Sequence, residues 1–133
     1  ATGPIENEEE LVRHSYVKCA INDHRILYCF RKSPSFNTFQ YQQQYIRKIL
    51  GLIAYRKDFL MELTQMEPTP IEQIESIEQM RIIEKGYPMH SIHFELSQPS
   101  INEPDEVTDV WNYVKKNQEQ QDLLQKVLNF EFT

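Results

Sequence analysis

Residues 68–81, which read PTPIEQIESIEQMR, carry the strongest local structural signal in the chain. Thr69 is typical of a helix N-cap and Pro70 of the first helical position, and Glu72 lies where a capping-box carboxylate accepts the backbone N–H of the cap. The isoleucines of this stretch recur at helical spacing, and Gly86 is suited to a C-cap. The pattern predicts one helix from Pro70 to the residues before Gly86, with an apolar face that packs on a core.

The chain upstream of this helix predicts a β-hairpin. Residues 15–21 alternate apolar and polar side chains, which indicates a strand with one buried face, and residues 25–30 are almost continuously apolar. Asn22-Asp23 between them is typical of a turn. We therefore expect two antiparallel strands joined by a short loop.

The hairpin carries both cysteines of the chain, Cys19 and Cys29. A two-residue turn at 23–24 predicts that Cys19 faces Tyr28 and that Cys29 points to the other side of the sheet, whereas a three-residue loop would place both cysteines on one face. We interpret them as buried, reduced thiols of a cytoplasmic protein, because disulfides form mainly in oxidising compartments.

The remaining elements complete an α/β pattern. In chain order we predict a long loop with aromatic anchors at 33–44, a buried strand containing Gly51 at 48–55, a helix at 56–65, a strand at 89–96, a helix from Pro104 and a polar, glutamine-rich helix after Lys116. Together they predict an α/β fold in which a mixed β-sheet with a β-hairpin is flanked by helices.

Composition excludes several classes of protein. The 14 basic and 20 acidic residues give a net charge of −6, whereas nucleic-acid-binding domains normally carry a basic surplus. An apolar fraction of 40% argues against disorder, and no apolar run approaches the roughly 18 residues of a membrane span. With 3 glycines in the chain, a glycine-rich phosphate loop cannot be written in this sequence.

Charge is distributed unevenly along the chain. Residues 25–57 contain basic side chains and no acidic one, whereas acidic residues dominate from 62 to 109. Two interpretations remain open. The two regions could form surfaces that pair within the fold or across a dimer, or the basic region could present a cationic surface to an anionic ligand.

Four stretches match a known enzyme family. They are ILYCFR at 26–31, KILGLIAYRKDFL at 48–60, the capped helix at 68–81, and INEPDEV at 101–107. In this order they resemble the C-terminal part of CMP-Kdo synthetase, the 3-deoxy-manno-octulosonate cytidylyltransferase of the sugar-nucleotide cytidylyltransferase group. That family uses Mg²⁺ to make CMP-Kdo, an activated sugar acid for lipopolysaccharide synthesis, from CTP and the sugar acid Kdo.

The resemblance implies part of a nucleotide-sugar cytidylyltransferase-like fold. The family's CTP loop and first metal-binding aspartate belong to an N-terminal nucleotide-binding half that precedes the position matching Ala1. Residues 1–116 would then be the sugar-binding and dimerisation region, and residues 117–133 a helical extension beyond the match. The implied partners are a second copy in a homodimer, or the nucleotide-binding half, and a sugar acid is the implied ligand.

The resemblance also identifies candidate site residues. Arg31, Glu78 and Gln79 match positions that line the family's Kdo pocket, and an arginine suits the carboxylate of a sugar acid because its guanidinium can bind both oxygens. Alternatively, Arg31 is one more surface cation, and Glu78 and Gln79 are ordinary exposed helix residues.

Three positions depart from the family pattern. Asn102 replaces an aspartate that helps to hold Mg²⁺, so it would be a weak ligand or only a helix cap. Ile49 and Ile53 replace a histidine and a tyrosine that contact the sugar.

Two hypotheses follow for the function of the chain. It could be an acceptor-sugar-binding and dimerisation portion that is not active as this chain alone, or a non-catalytic, site-degenerate relative that acts as a binding or assembly module. Whether the chain takes part in catalysis is left open.

Overall fold

The computed structural model describes residues 1–130. The chain divides into two compact units, Ala1–Ser97 and a second unit from Gln98 onward. The predicted boundary at 116/117 falls between two helices of the second unit and stays a prediction. The end of the predicted C-terminal extension, residues 131–133, lies outside the described residues.

The first unit is built on a five-stranded sheet. Its strands are β1 (Thr2–Gly3), β2 (Lys18–Asn22), β3 (Arg25–Phe30), β4 (Ile46–Ile49) and β5 (Met89–His90). They lie in the order β1-β4-β2-β3-β5, and every named pair is antiparallel. A parallel bridge joins Thr2 to His93. The α/β fold class is thus confirmed.

Five helices accompany the sheet: α1 (Glu8–Val12), α2 (Phe39–Tyr45), α3 (Lys57–Leu63), α4 (Pro70–Glu75) and α5 (Gln79–Glu84). The helix predicted at 56–65 is confirmed as α3. The loop predicted at 33–44 contains most of α2, so that prediction was wrong there. The aromatic Phe39 packs against a core cluster of Ile5, Leu11, Phe30 and Ile46, and this long-range contact stabilises a helix that the local sequence does not indicate.

The hairpin is confirmed, but its predicted register was wrong. The loop is the two residues Asp23 and His24, yet Cys19 lies directly opposite Cys29 because the register shifts between Ala20 and Ile21. A bulge inserts one extra residue into one strand and so changes which side chains face each other. Both cysteines are buried and free, in agreement with the prediction of reduced thiols.

The strand predicted at 48–55 was also placed wrongly. β4 ends at Ile49, and Gly51 adopts a φ of +74° in a non-strand segment. A left-handed backbone cannot continue a β-ladder, so this glycine ends the strand instead of lying inside it. The strand predicted at 89–96 is shorter in the structure, where Met89–His90 form β5 and pair with β3.

The capping box at the start of α4 is confirmed. The Glu72 carboxylate accepts the backbone N–H of Thr69 at 3.0 Å and also pairs with Arg81 of α5 at 2.5 Å. The single long helix predicted from Pro70 was wrong, because Ser76 adopts a φ of +54° and separates α4 from α5. The break leaves Ile74 exposed, while Ile77 is buried in the core.

The principal core lies between the hairpin and α5. Its buried members are Cys19, Ile26, Cys29, Ile77 and Met80. The Met80 sulfur accepts the backbone N–H of Cys29 at 3.1 Å, which fixes α5 on β3. The position of α5 therefore depends on the end of β3, where the candidate site lies.

The second unit is a pair of helices. A 3₁₀ turn (Pro104–Glu106) leads into α6 (Val107–Lys116), and α7 (Gln118–Leu128) follows. The helix start predicted at Pro104 is confirmed. Among the helices of residues 1–130, none combines the length and the apolar character that a membrane crossing requires.

Candidate functional site

Three residues that the sequence singled out meet around one cavity. Arg31 directly follows β3, and Glu78 and Gln79 lie at the start of α5. All three line a cavity of about 530 Å³, together with Val17, Glu72, Gln73, Ser76 and Ile77. The fold thus brings an arginine, a carboxylate and an amide to one polar surface, which we call the Arg31 cavity.

Backbone carbonyl groups fix the Arg31 guanidinium. Its Nε, Nη1 and Nη2 donate to the carbonyl oxygens of Glu75 (3.4 Å), His14 (3.2 Å) and Ser76 (3.1 Å). These bonds engage one N–H of each nitrogen, and a guanidinium carries a second N–H on each terminal nitrogen. The group is therefore oriented by the protein and keeps donors with which to bind an anion.

Glu75 ties the end of β3 to α4. Its carboxylate accepts the Arg31 backbone N–H at 3.1 Å and the Tyr28 hydroxyl at 3.2 Å. Burial raises the pKa of Tyr28, and the Glu75 charge and hydrogen bond add to that rise. These contacts stabilise the protonated hydroxyl and hold Arg31 against the helix break.

The break at Ser76 shapes the other wall of the cavity. A residue other than glycine at φ +54° is uncommon, because a Cβ crowds the left-handed backbone. The turn lets Ile77 enter the core and places Glu78 at the N-cap of α5. No local pattern indicates this break, because serine at this position also fits a continuous helix.

Tyr55 is a site residue that sequence reasoning missed. Its hydroxyl lies near the Glu78 and Gln79 side chains, and the Gln79 amide donates to Glu78 Oε1 at 3.1 Å. Burial raises the pKa of Tyr55, the Glu78 charge adds to the rise, and the proximity of the Gln79 side chain opposes it. The residue stands within the matched stretch at 48–60, but only the fold shows that it approaches α5.

Lys18 is a buried cation that sequence reasoning did not identify. It is fully buried in β2, and its Nζ donates to the Arg13 carbonyl oxygen at 2.6 Å. Burial lowers the pKa of Lys18 to about 8, and the charge of Arg31 acts in the same direction. The alternating pattern of residues 15–21 had placed Lys18 on the exposed face, so the expectation of one buried face was wrong.

The first unit has a second cavity, which is apolar and measures about 790 Å³. Its lining includes Ile49 and Ile53, two of the three departures from the family pattern, together with Tyr55, Phe59 and Tyr87. The rings of Phe59 and Tyr87 lie 5.0 Å apart between centroids, and Phe59 stacks on Tyr55 at 6.5 Å. Ile49 and Ile53 therefore belong to a cavity lined by aromatic and aliphatic side chains.

Asn102 lies in the second unit and takes part in a helix start. Its backbone N–H donates to Glu106 Oε2 at 2.6 Å, and its side-chain amide donates to Ser100 Oγ at 3.1 Å. The N-cap of the 3₁₀ turn is Glu103, so the alternative interpretation of Asn102 as the cap was wrong.

The residues around Asn102 do not fit a Mg²⁺ site by themselves. The Glu106 carboxylate already accepts the backbone N–H of Asn102 and of Glu103. Across residues 1–130, no group of three or more His, Cys, Asp or Glu side chains is arranged to hold a metal ion. A role for Mg²⁺ stays a prediction that would need ligands from elsewhere.

Comparison with known proteins gives a consistent result. A family model described as Cytidylyltransferase matches residues 1–95. The 3-deoxy-manno-octulosonate cytidylyltransferase of Acaryochloris marina is 31% identical over 115 residues, which are 85% of this chain and 46% of that protein. The enzyme of the same name from Fusobacterium nucleatum is 30% identical over 119 residues, which are 84% of this chain and 45% of that protein.

A solved structure has the same fold. It is that of CMP:2-keto-3-deoxy-manno-octonic acid synthetase complexed with CTP, with a TM-score of 0.72 and 24% identity. The match covers 86% of this chain and 47% of that one. The chain thus spans about half the length of the relatives it matches.

Proposed function

The chain belongs to the cytidylyltransferase family, and we propose that its first unit is the acceptor-binding portion of a 3-deoxy-manno-octulosonate cytidylyltransferase. This portion would hold the sugar acid that receives the cytidylyl group of CTP. The observation that carries the proposal is the convergence of Arg31, Glu78 and Gln79 on one cavity.

The Arg31 cavity suits the carboxylate end of a sugar acid. Arg31 would bind the carboxylate through the N–H groups that its backbone contacts leave available, and such charge-assisted bonds are stronger than neutral ones. The Glu78 carboxylate would accept from sugar hydroxyls. Gln79 can both donate and accept, and its amide donates to Glu78 Oε1 at 3.1 Å.

Transfer of a cytidylyl group requires more than this portion. Catalysis of this kind depends on positioning phosphates and metal ions, and the chain supplies neither a glycine-rich loop nor, within residues 1–130, an acidic metal cluster. We therefore propose that turnover requires the nucleotide-binding half and that this chain contributes the acceptor side of the site, in the cytoplasm.

Dimerisation is a further part of the proposal, and α2 with the loop before it offers a surface for it. Phe36, Tyr41 and Tyr45 are exposed there, and exposed aromatic residues are enriched at protein interfaces. Phe39 is turned toward the core instead. Analytical sedimentation tests this surface. We expect the wild-type chain to sediment as a dimer and the chain with Tyr41→Ser and Tyr45→Ser to sediment as a monomer. A dimer that survives both changes would refute the surface.

One observation favours the alternative function, a non-catalytic binding or assembly module. Ile49 and Ile53 line an apolar cavity where the family contacts the sugar through hydrogen-bonding side chains. Aliphatic side chains cannot satisfy sugar hydroxyls, and a buried hydroxyl without a partner is costly. A chain of this kind would keep the anion-binding arginine and lose the sugar specificity.

Calorimetric titration with Kdo tests the proposed function. We expect binding by the wild-type chain and a loss of about tenfold or more in affinity for Arg31→Met, because a hydrogen bond to a charged group contributes about 1.5–3 kcal/mol. Lys32→Met is the matched control, since it removes the neighbouring exposed cation, and it should change the affinity less than about twofold. Equal affinity of the wild-type and Arg31→Met chains would refute the proposal.

A further inference from the structure

Lys18 is a buried cation that directly follows Val17, a lining residue of the Arg31 cavity. Its Nζ donates to the carbonyl oxygen of Arg13 at 2.6 Å. Arg13 is the C-cap of α1, where its backbone N–H donates to the carbonyl oxygen of Glu9 at 3.0 Å. The lysine therefore fastens the end of α1 to the first residue of β2.

The segment that Lys18 holds also holds Arg31. His14 follows Arg13 in the chain, and its carbonyl oxygen accepts Arg31 Nη1 at 3.2 Å. Because a peptide unit is planar, a fixed Arg13 carbonyl group also fixes the backbone nitrogen of His14. The backbone N–H of Tyr16 donates to the same Arg13 oxygen at 3.4 Å and closes a turn. Lys18 thus acts on the Arg31 guanidinium through two consecutive backbone carbonyl groups.

Charge also connects Lys18 to Arg31. The elements that border Lys18 carry these charged or titratable side chains: Glu10, Arg13, Tyr16, Tyr28, Arg31, Lys48 and Glu75. Burial lowers the pKa of Lys18, the positive charge of Arg31 adds to the decrease, and the carboxylates of Glu10 and Glu75 oppose it. Glu10 is paired with Lys48 at 2.6 Å, and Glu75 accepts the Arg31 backbone N–H. An anion bound by Arg31 would relieve the repulsion between the two cations.

We infer that Lys18 is a positioning residue of the Arg31 cavity, which orients the Arg31 guanidinium through the backbone at 13–14 and strengthens acid binding by its positive charge. The inference rests on the proposed function, in which Arg31 binds the acid group of the acceptor, and it adds a second cation that acts through the first. Linkage is reciprocal, so an acid that binds more tightly beside protonated Lys18 also makes Lys18 hold its proton more tightly. Acid binding and protonation of Lys18 are therefore coupled.

Calorimetric titration of the intact chain with Kdo at a series of pH values tests the coupling. Lys18 loses its proton as the pH rises through about 8, and a coupling of about fivefold lies at the low end for linked sites. We therefore expect the affinity to fall by about fourfold from pH 7 to 9.5. At pH 8.5, binding should take up about 0.4 of a proton, which titrations in two buffers of different ionisation enthalpy measure.

Variants at Lys18 separate its charge from that of other titrating groups. Lys18→Met lacks the charge at every pH, so its affinity should stay at or below the wild-type value of pH 9.5. Lys18→Arg keeps a cation that holds its proton throughout this range, so its affinity should stay near the wild-type value of pH 7. Lys32→Met is the matched control, because it removes an exposed cation next to Arg31, and it should keep the wild-type pH dependence. The N-terminal amine, which also titrates in this range, is present in all four chains.

NMR of the ¹⁵N-labelled chain without ligand tests the orienting role separately. The Arg31 Nε–H signal should shift in Lys18→Met, because loss of the bond to the Arg13 oxygen releases the segment that carries the His14 carbonyl group. Lys18→Arg should bring the signal back toward its wild-type position. An Arg31 signal that does not move in Lys18→Met would overturn the orienting role.

The outcomes separate this inference from the proposed function. Kdo binding that requires Arg31 but stays constant from pH 7 to 9.5, or that falls equally in the wild type and Lys18→Met, would overturn the inference and leave the proposed function intact. If circular dichroism shows that Lys18→Met does not fold, an undiminished pH dependence in Lys18→Arg would overturn the inference in the same way. Absence of Kdo binding by the folded wild-type chain at every pH would overturn both.

Discussion

The Arg31 guanidinium donates from Nη2 to the carbonyl oxygen of Ser76 at 3.1 Å. Ser76 is the residue whose backbone adopts the left-handed conformation. The bond joins the end of β3 to the break between α4 and α5. The same break places Glu78 and Gln79 beside Arg31. The candidate site therefore depends on a helix interruption that its own arginine helps to hold.

Replacement of Ser76 tests the cost of this interruption. Ser76→Gly should raise the free energy of unfolding by about 0.5–1 kcal/mol, because glycine adopts a positive φ without a Cβ clash. Ser76→Val should lower it by about 1–2 kcal/mol, since a β-branched residue tolerates this backbone poorly. Urea denaturation measures both changes. A destabilised glycine variant would contradict the left-handed conformation at this position.

The buried Lys18 predicts an unusual pH dependence of stability. Its pKa is about 8 in the folded chain against 10.5 when unfolded, so between these pH values the unfolded chain binds the extra proton. The free energy of unfolding of the wild type, relative to that of Lys18→Met, should therefore rise by about 2–3 kcal/mol from pH 8 to 10.5. Below pH 7 this difference should stay constant.

The buried cysteine thiols lower the free energy of unfolding as the pH rises, because their pKa is raised in the folded chain. Both proteins contain these thiols, so their effect cancels in the comparison. Guanidinium denaturation at a series of pH values provides the measurement. A difference between wild type and Lys18→Met that is constant from pH 7 to 10.5 would show that Lys18 keeps an ordinary pKa in the folded chain.

Cys19 and Cys29 should be inert in the folded protein despite facing each other across the hairpin. Burial raises the pKa of each thiol to about 12, and only the thiolate reacts with alkylating agents. Iodoacetamide at pH 8 should label the native chain at least about a hundredfold more slowly than the urea-unfolded chain. Mass spectrometry follows the labelling, and equal rates in the two states would contradict the buried positions.

Local signals in the sequence predicted the elements that local physics determines. The capping box of Thr69 and Glu72 is formed as expected because its hydrogen bonds join residues three apart in the chain. The hairpin and α3 were predicted from patterns of apolar and turn residues that also lie close together in the chain. The helix α2 could not be predicted in this way, since Phe39 packs on residues distant in the chain.

Longer-range physics accounts for the other differences. The bulge at Ala20/Ile21 changes the hairpin register, and no residue in that strand signals it. Of the candidate site, motif resemblance identified Arg31, Glu78 and Gln79, and the fold brings them together. Tyr55 could not be assigned to them from sequence, because its approach to Gln79 is a contact between residues that are distant in the chain.

The central claim is that the Arg31 cavity binds the acceptor, with Arg31 on its acid group and Gln79 in contact with the rest of the sugar. Titration of the ¹⁵N-labelled chain with Kdo, observed through side-chain N–H resonances, tests it most directly. We predict that the Arg31 Nε–H and the Gln79 amide shift together with one saturation constant, while the amide of Gln118 on α7 does not move. Unchanged Arg31 and Gln79 signals at saturating Kdo, or shifts confined to other residues, would contradict the assignment of this site.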